Sequence, residues 1–227
     1  MNTALFDSWT DKYDRWFTTS SGRLVKKYET ELLLELLYPQ PGEKILDVGC
    51  GTGIFTEDVL DCGTTVVGID LSLPMLKIAL ERTRDDAFSG LCSDMCALPF
   101  PDNSFDKVFS MTAIEFVADA EKAIAELNRV TRKGGCIVVT TLNSLSPWAI
   151  ERQKNARDGG HSLFQNVSFR SPQDMRLLVP HPCVIKTAIH FQKNTRVEDI
   201  PEIELQGNRE HAETGAFLAV QWHTNEE

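Results

Sequence analysis

The chain has 227 residues, 42% of them hydrophobic, enough to bury a core in one domain with additions. Its formal net charge is −10 and no block of five like charges interrupts it. That balance disfavours a general nucleic-acid binder, which needs a basic face to neutralise phosphates, and it disfavours a charged tail.

The opening "MNTALFDSWTDKYDRWF" lacks the basic-then-apolar order of a signal peptide. The runs "LLLELLY" and "CIVVTTL" are too short to span a bilayer, so a cytoplasmic protein is expected. Residues 1–43 read as a helical cap: an aromatic-rich segment, then "LVKKYETELLLELLY" as a helix with one broad apolar face. Pro39 and Pro41-Gly42 separate this cap from the first strand.

From Lys44 onward, short β-rich runs alternate with helical patterns, as in a parallel sheet covered by helices. "KILDV" is a first strand, followed by a helix from about Ile54 to Cys62 that Gly63 stops. "TTVVGID" is a second strand, and Ser72 caps a helix whose Met75, Leu76, Ala79 and Leu80 recur at helical spacing. "GLCSDM" is a weaker third strand and "FDKVFSM" a fourth. Residues 119–130 form an amphipathic helix capped by Asp119, "RKGG" ends it, and "CIVVTTL" is the fifth strand.

Beyond residue 142 the pattern loosens. Ser171-Pro172 opens a helix ending before Pro180, while "VIKTAIHF" and "GAFLAVQW" alternate as two late strands. Residues 192–214 between them are too long for a hairpin turn, so a short helix or a flap is expected. The whole reads as a single domain, 1–227: the cap, a core over 44–142, and a region over 143–227 holding substrate-side loops and the last two strands. The six cysteines form no CxxC pair and read as small core residues in a reducing compartment, with no metal site.

The stretch "DVGCGTG" lies between the first strand and its helix. A glycine-rich turn there lets a ligand approach main-chain atoms at the carboxyl edge of the sheet. The dinucleotide pattern GxGxxG fails: its third glycine would be Ile54 or Thr56. The spacing is instead Asp47, Gly49, Gly51, Gly53. An acidic residue, Asp70, ends the second strand 21 residues after Gly49, where a carboxylate can accept ribose hydroxyls.

Together with "SDMCALPFPDNSFDKVFS" and "LNRVTRKGGCIVVTT", this pattern resembles the class I S-adenosylmethionine-dependent methyltransferases over about residues 44–142. The resemblance implies a Rossmann-like α/β fold. Its sheet is seven-stranded and mostly parallel, in the order 3-2-1-4-5-7-6, with the last strand antiparallel and helices on both faces. It implies S-adenosyl-L-methionine as cofactor. Asp47 would hold the methionyl amino group, with Gly49, Gly51 and Gly53 making room for that chain, and Asp70 the ribose. Asp94 and Met95 would meet adenine on one side. Leu71, helped by Met75, would pack on the other side, although both are equally readable as core residues.

Tyr13, in "YDRWF", resembles an N-terminal stretch of small-molecule methyltransferases and either touches the methionyl end or packs on the sheet with Trp16 and Phe17. Met111 lies where the chain passes the cofactor. Glu115 and His161 are the candidate bases, each with a bland alternative: Glu115 pairing at a helix start, His161 solvated in a loop. A small-molecule acceptor is expected, since "SMTA" replaces the DPPY or NPPY of nucleic-acid amino-methyltransferases and only Glu115 stands where arginine methyltransferases need two glutamates. A monomer or homodimer is expected. The alternatives are a binding module that holds the cofactor without turnover, and, disfavoured by the missing glycine, an NAD(P)-dependent oxidoreductase.

Overall fold

The computed structural model describes residues 4–7, 10–83, 86–157, 167–179 and 182–225. Three helices precede the sheet: α1 (Ala4–Asp7), α2 (Thr10–Phe17) and α3 (Ser20–Leu37). The core then runs β1 (Lys44–Val48), α4 (Thr56–Leu60), β2 (Thr65–Asp70), α5 (Leu73–Thr83), β3 (Phe88–Cys92) and β4 (Phe105–Ser110). A 3-10 turn over Ile114–Phe116 leads to α6 (Ala120–Val130) and β5 (Thr131–Leu142). The remaining elements are α7 (Pro147–Arg157), α8 (Pro172–Leu178), β6 (Cys183–Ala188), α9 (Ile200–Arg209) and β7 (Phe217–His223).

The strands form one seven-stranded sheet in the order β3-β2-β1-β4-β5-β7-β6. Strands β1 to β5 pair in parallel, and β7 runs antiparallel to both β5 and β6. This is the architecture the resemblance implied.

Period-two alternation explains the layers. Ile45, Val138, Phe217 and Ala219 face a core shared with Leu33, Leu36 and Leu37 of α3 and Val59 of α4. Their strand neighbours Leu46, Val48, Ile137, Val139, Leu218 and Val220 face the other core, with Leu127 of α6 and Met175 of α8. Asp119 caps α6 by accepting the Lys122 N–H, as its sequence position suggested.

Several boundaries move. The first core helix is only Thr56–Leu60, because Ile54 and Phe55 remain in the turn of the glycine loop. The third strand lies two residues earlier than "GLCSDM", so Ser93 and Asp94 fall beyond its end. "RKGG" continues into β5 through a register shift between Phe105 and Lys107 of the neighbouring strand. The long late connection folds as α9, whose buried Glu204 accepts the Ile189 N–H at 3.2 Å and also the His190 N–H. Of the cysteines only Cys50 and Cys136 are buried, and Cys92 is exposed, so the core reading holds for two of six. Leu80, expected on the apolar face of α5, is 47% exposed.

Candidate cofactor and acceptor cavity

The glycine loop sits at the carboxyl edge of the sheet, where β1, β2, β4 and β5 all end. Gly49 has φ +77°, and a Cβ there would lie 2.5 Å from the Ala113 Cβ. No side chain fits between the two backbones. Gly51, at φ +54°, faces open space, so only its bare main chain lines that side of the cleft.

Asp70, at the end of β2, fixes this loop. One of its carboxylate oxygens accepts the Gly51 N–H at 2.9 Å and the other accepts the Ser72 N–H at 2.8 Å. Burial pushes its carboxyl up from the ordinary range, and the Ser72, Gly51 and Leu71 main-chain groups oppose that rise. Asp47 is 2% exposed, its Oδ2 accepting the Thr56 hydroxyl at 2.6 Å. Its Oδ1 meets no donor among the described residues. Burial first, then the charge of Asp70, raises the Asp47 carboxyl to about 7, against the Thr56 bond. An orphaned acceptor beside an open glycine main chain fits a ligand carrying a cationic amino group.

A cavity of about 1060 Å³ opens from this rim. Gly49, Gly51, Asp70, Leu71, Met75, Asp94 and Met95 line one part of it. Asp94 accepts the Cys96 N–H at 2.8 Å, which turns the chain after β3 back toward the sheet. Leu71 is 38% exposed into this space, whereas Met75 is 3% exposed, so Met75 is buried and cavity-lining at once. Met111, Tyr13 and Glu115 line another part. Asp47 and Gly53 sit behind the lining, with Gly53 at φ +75° turning the loop into α4. His161 lies outside the described residues.

Helices α1 and α2 are tied to this rim at two places. Asp14 of α2 accepts the Thr52 hydroxyl at 2.7 Å and pairs with Arg82, whose Nε donates to the Thr52 carbonyl at 2.8 Å. Asp7 of α1 accepts the Ser72 hydroxyl at 2.7 Å. Both ties are to residues of the loops that carry the glycines and Asp70.

Several charged residues of the cavity stand outside the sequence expectations, among them Glu29 and Arg152. Glu29 of α3 is 7% exposed, and burial raises its carboxyl to about 8 although Arg152 pulls it down. Arg152 of α7 lines the same cavity with its guanidinium 5.5 Å from the Trp148 ring centroid, and burial lowers its affinity for its proton. Glu29 had a signal: it lies on the apolar face of α3, four residues after Val25 and four before Leu33. A charge on such a face marks a cavity or a partner.

Glu115 is 1% exposed and neither oxygen meets a donor in bonding geometry among the described residues. Burial raises its carboxyl to about 7, opposed by main-chain groups of Glu115 and Leu142, by Arg170 and by the Thr141 hydroxyl. Tyr13 is pushed above its ordinary range by burial first and then by Glu29 and Asp14.

Residues 46–139 match the family described as "Methyltransferase domain". Residues 46–139 thus resemble a methyltransferase domain. The chain is 39% identical over 136 residues, 60% of its length and 56% of the relative, to a demethylmenaquinone methyltransferase of Renibacterium salmoninarum. It is 41% identical over 112 residues, 49% of this chain and 43% of the relative, to a malonyl-(acyl-carrier protein) O-methyltransferase of Serratia marcescens. The matched part thus spans about half the length of these curated relatives. A crystal structure from Thermotoga maritima, described as an S-adenosylmethionine-dependent methyltransferase and "possible histamine N-methyltransferase", aligns with TM-score 0.75 over 99% of both chains. At 24% identity that likeness is one of fold.

Proposed function

We infer that the chain is an S-adenosylmethionine-dependent methyltransferase acting on a small-molecule acceptor. The observation that carries this reading is the orphaned, buried Asp47 oxygen behind a glycine main chain that opens onto a large cavity. When bound, S-adenosylmethionine supplies a methyl group activated by its sulfonium. Asp47 holds the methionyl ammonium, directly or through water, and Gly49, Gly51 and Gly53 leave room for the methionyl chain. Asp70 accepts the ribose hydroxyls with the lone pairs its two main-chain donors leave free. Asp94 takes the adenine amine, Met95 and Leu71 take its faces, and Met75 backs Leu71. Met111 and Tyr13 stand where the cavity continues toward the acceptor.

The remaining work is alignment and exclusion of water. The chain divides that work by region: residues 1–43 cover the cavity, 44–142 hold the cofactor, and 143–227 complete the acceptor side. No described helix is long and apolar enough to cross a membrane.

The test is transfer of a labelled methyl group to fractions of a metabolite extract. A labelled small molecule supports the reading. Tight cofactor binding with no labelled product in any fraction favours a module that binds without turnover. Binding of NADH or NADPH in its place favours an oxidoreductase.

A further inference from the structure

The cavity wall that carries Tyr13, Trp16, Phe17 and Trp148 also holds two carboxylates, Glu29 and Glu115, and the cations Lys12, Arg152 and Lys193. Tyr13 meets Phe17 edge-on at 5.2 Å, and Trp16 stacks on Phe17 at 6.0 Å. Glu115 enters from the turn after β4 and Glu29 from α3, and both line this cavity. Glu115 is 1% exposed, and although the Glu115 and Leu142 main-chain groups and the Thr141 hydroxyl stand near it, neither oxygen meets a donor in bonding geometry among the described residues. A buried carboxylate without donors is costly, and it is retained where a ligand supplies the missing hydrogens.

We propose that the acceptor is an amine brought in as its ammonium, with Glu115 and Glu29 as its carboxylate partners. The proposal rests on the methyltransferase reading above and names the substrate class of that same site. An ionised carboxylate only accepts, and an ammonium only donates, up to three times. A hydroxyl donates once and would leave most of the acceptor sites of Glu115 empty. An anionic acceptor would add a further negative charge beside both carboxylates. Arg152 already interacts with both of them. The ring wall suits the same cation, since aromatic faces attract alkylammonium groups and an aryl body fills the apolar remainder.

The carboxylates also solve a chemical difficulty. An ammonium has no free lone pair. Passing one N–H proton to the Glu115 carboxylate leaves a neutral amine with its lone pair exposed, and a neutral carboxylic acid. That proton returns to water when the cavity opens. The titratable groups that interact with this pair are Tyr13 of α2, Arg152 of α7 and Arg170 ahead of α8, and Lys12, Lys122 and Lys193 line the same cavity.

Calorimetry on the full chain tests this in two stages. S-adenosylhomocysteine is titrated first, which tests the cofactor reading alone. The saturated complex is then titrated with phenethylamine and tryptamine, and with phenethyl alcohol, tryptophol and indolepropionate as counterparts. At about pH 8 at least one amine should bind about tenfold or more tightly than its counterparts, the scale of one charge-assisted hydrogen bond. Glu29→Gln and Glu115→Gln should each erase most of that preference while leaving S-adenosylhomocysteine affinity within about twofold. If the nucleoside binds and an alcohol or acid binds as well as its amine, or neither amine binds at millimolar concentration, the amine assignment is wrong and the cofactor reading stands. If the nucleoside itself fails to bind, both fall. Should a variant not fold, the preference of the unsubstituted protein decides.

Discussion

Glu115→Gln should change how stability depends on pH. In the folded chain the carboxyl sits at about 7 against an ordinary 4.5, because burial penalises its charged form. Between those values the folded state holds a proton that the unfolded state has lost. Stability therefore falls as pH rises from 4.5 to about 7, and the loss is complete above 7. A shift of about 2.5 units at 1.36 kcal/mol per unit amounts to about 3 kcal/mol, an upper figure for a group that water partly reaches on breathing. Glutamine carries no such term. Its own unsatisfied amide adds a cost, but one that is the same at every pH, so the quantity to read is the difference between two pH values. Relative to the unsubstituted protein, the variant should gain about 3 kcal/mol between pH 4.5 and pH 8. At about 2–4 °C per kcal/mol for a chain of this size, that is about 6–12 °C in melting temperature. Denaturant or thermal unfolding at both pH values measures it. Parallel pH profiles for the two proteins would refute the claim that Glu115 is buried without donors.

Asp70→Ala removes the acceptor of two main-chain N–H groups and, on the proposed function, of the ribose hydroxyls, so S-adenosylhomocysteine should bind at least about tenfold more weakly, since bonds to a charged acceptor contribute about 1.5–3 kcal/mol each. An unchanged dissociation constant in a folded variant would remove Asp70 from the site. Asp47, raised to about 7, holds a proton at pH 6 that a neighbouring ammonium should displace. Titrations at pH 6 in buffers of different ionisation enthalpy should show proton release, with affinity falling from pH 7 to pH 5; no proton exchange would separate Asp47 from the ligand. Gly49→Ala should destabilise by about 1–2 kcal/mol from its left-handed backbone alone, with a further cost from the 2.5 Å approach to Ala113. A melting temperature equal to that of the unsubstituted protein would show that this approach is not close.

Much of the fold was legible because its signals are local. The short β-rich runs "KILDV" and "CIVVTTL", and the cap at Asp119, each place an element without reference to the rest of the chain. The cavity rim that the glycines and Asp70 form was legible for the same reason, as these residues sit at fixed offsets in one strand–loop–helix–strand unit. What escaped depends on distant partners. The third strand is an edge strand, weakly patterned, and its start is set by pairing Phe88 with Val66. Arg152 gave no local sign of its place, since a charged residue in a polar helix looks solvated until Glu29, 123 residues earlier, is folded against the same cavity. Glu29 was readable in principle from its position on the apolar face of α3.

The most direct test of the cofactor site is one titration of the full chain with S-adenosylhomocysteine, with NADH as the control. One molecule should bind per chain with a dissociation constant in the micromolar range or below, NADH should give no heat, and Asp70→Ala should weaken the first signal. Heat from NADH with none from S-adenosylhomocysteine would contradict the assignment.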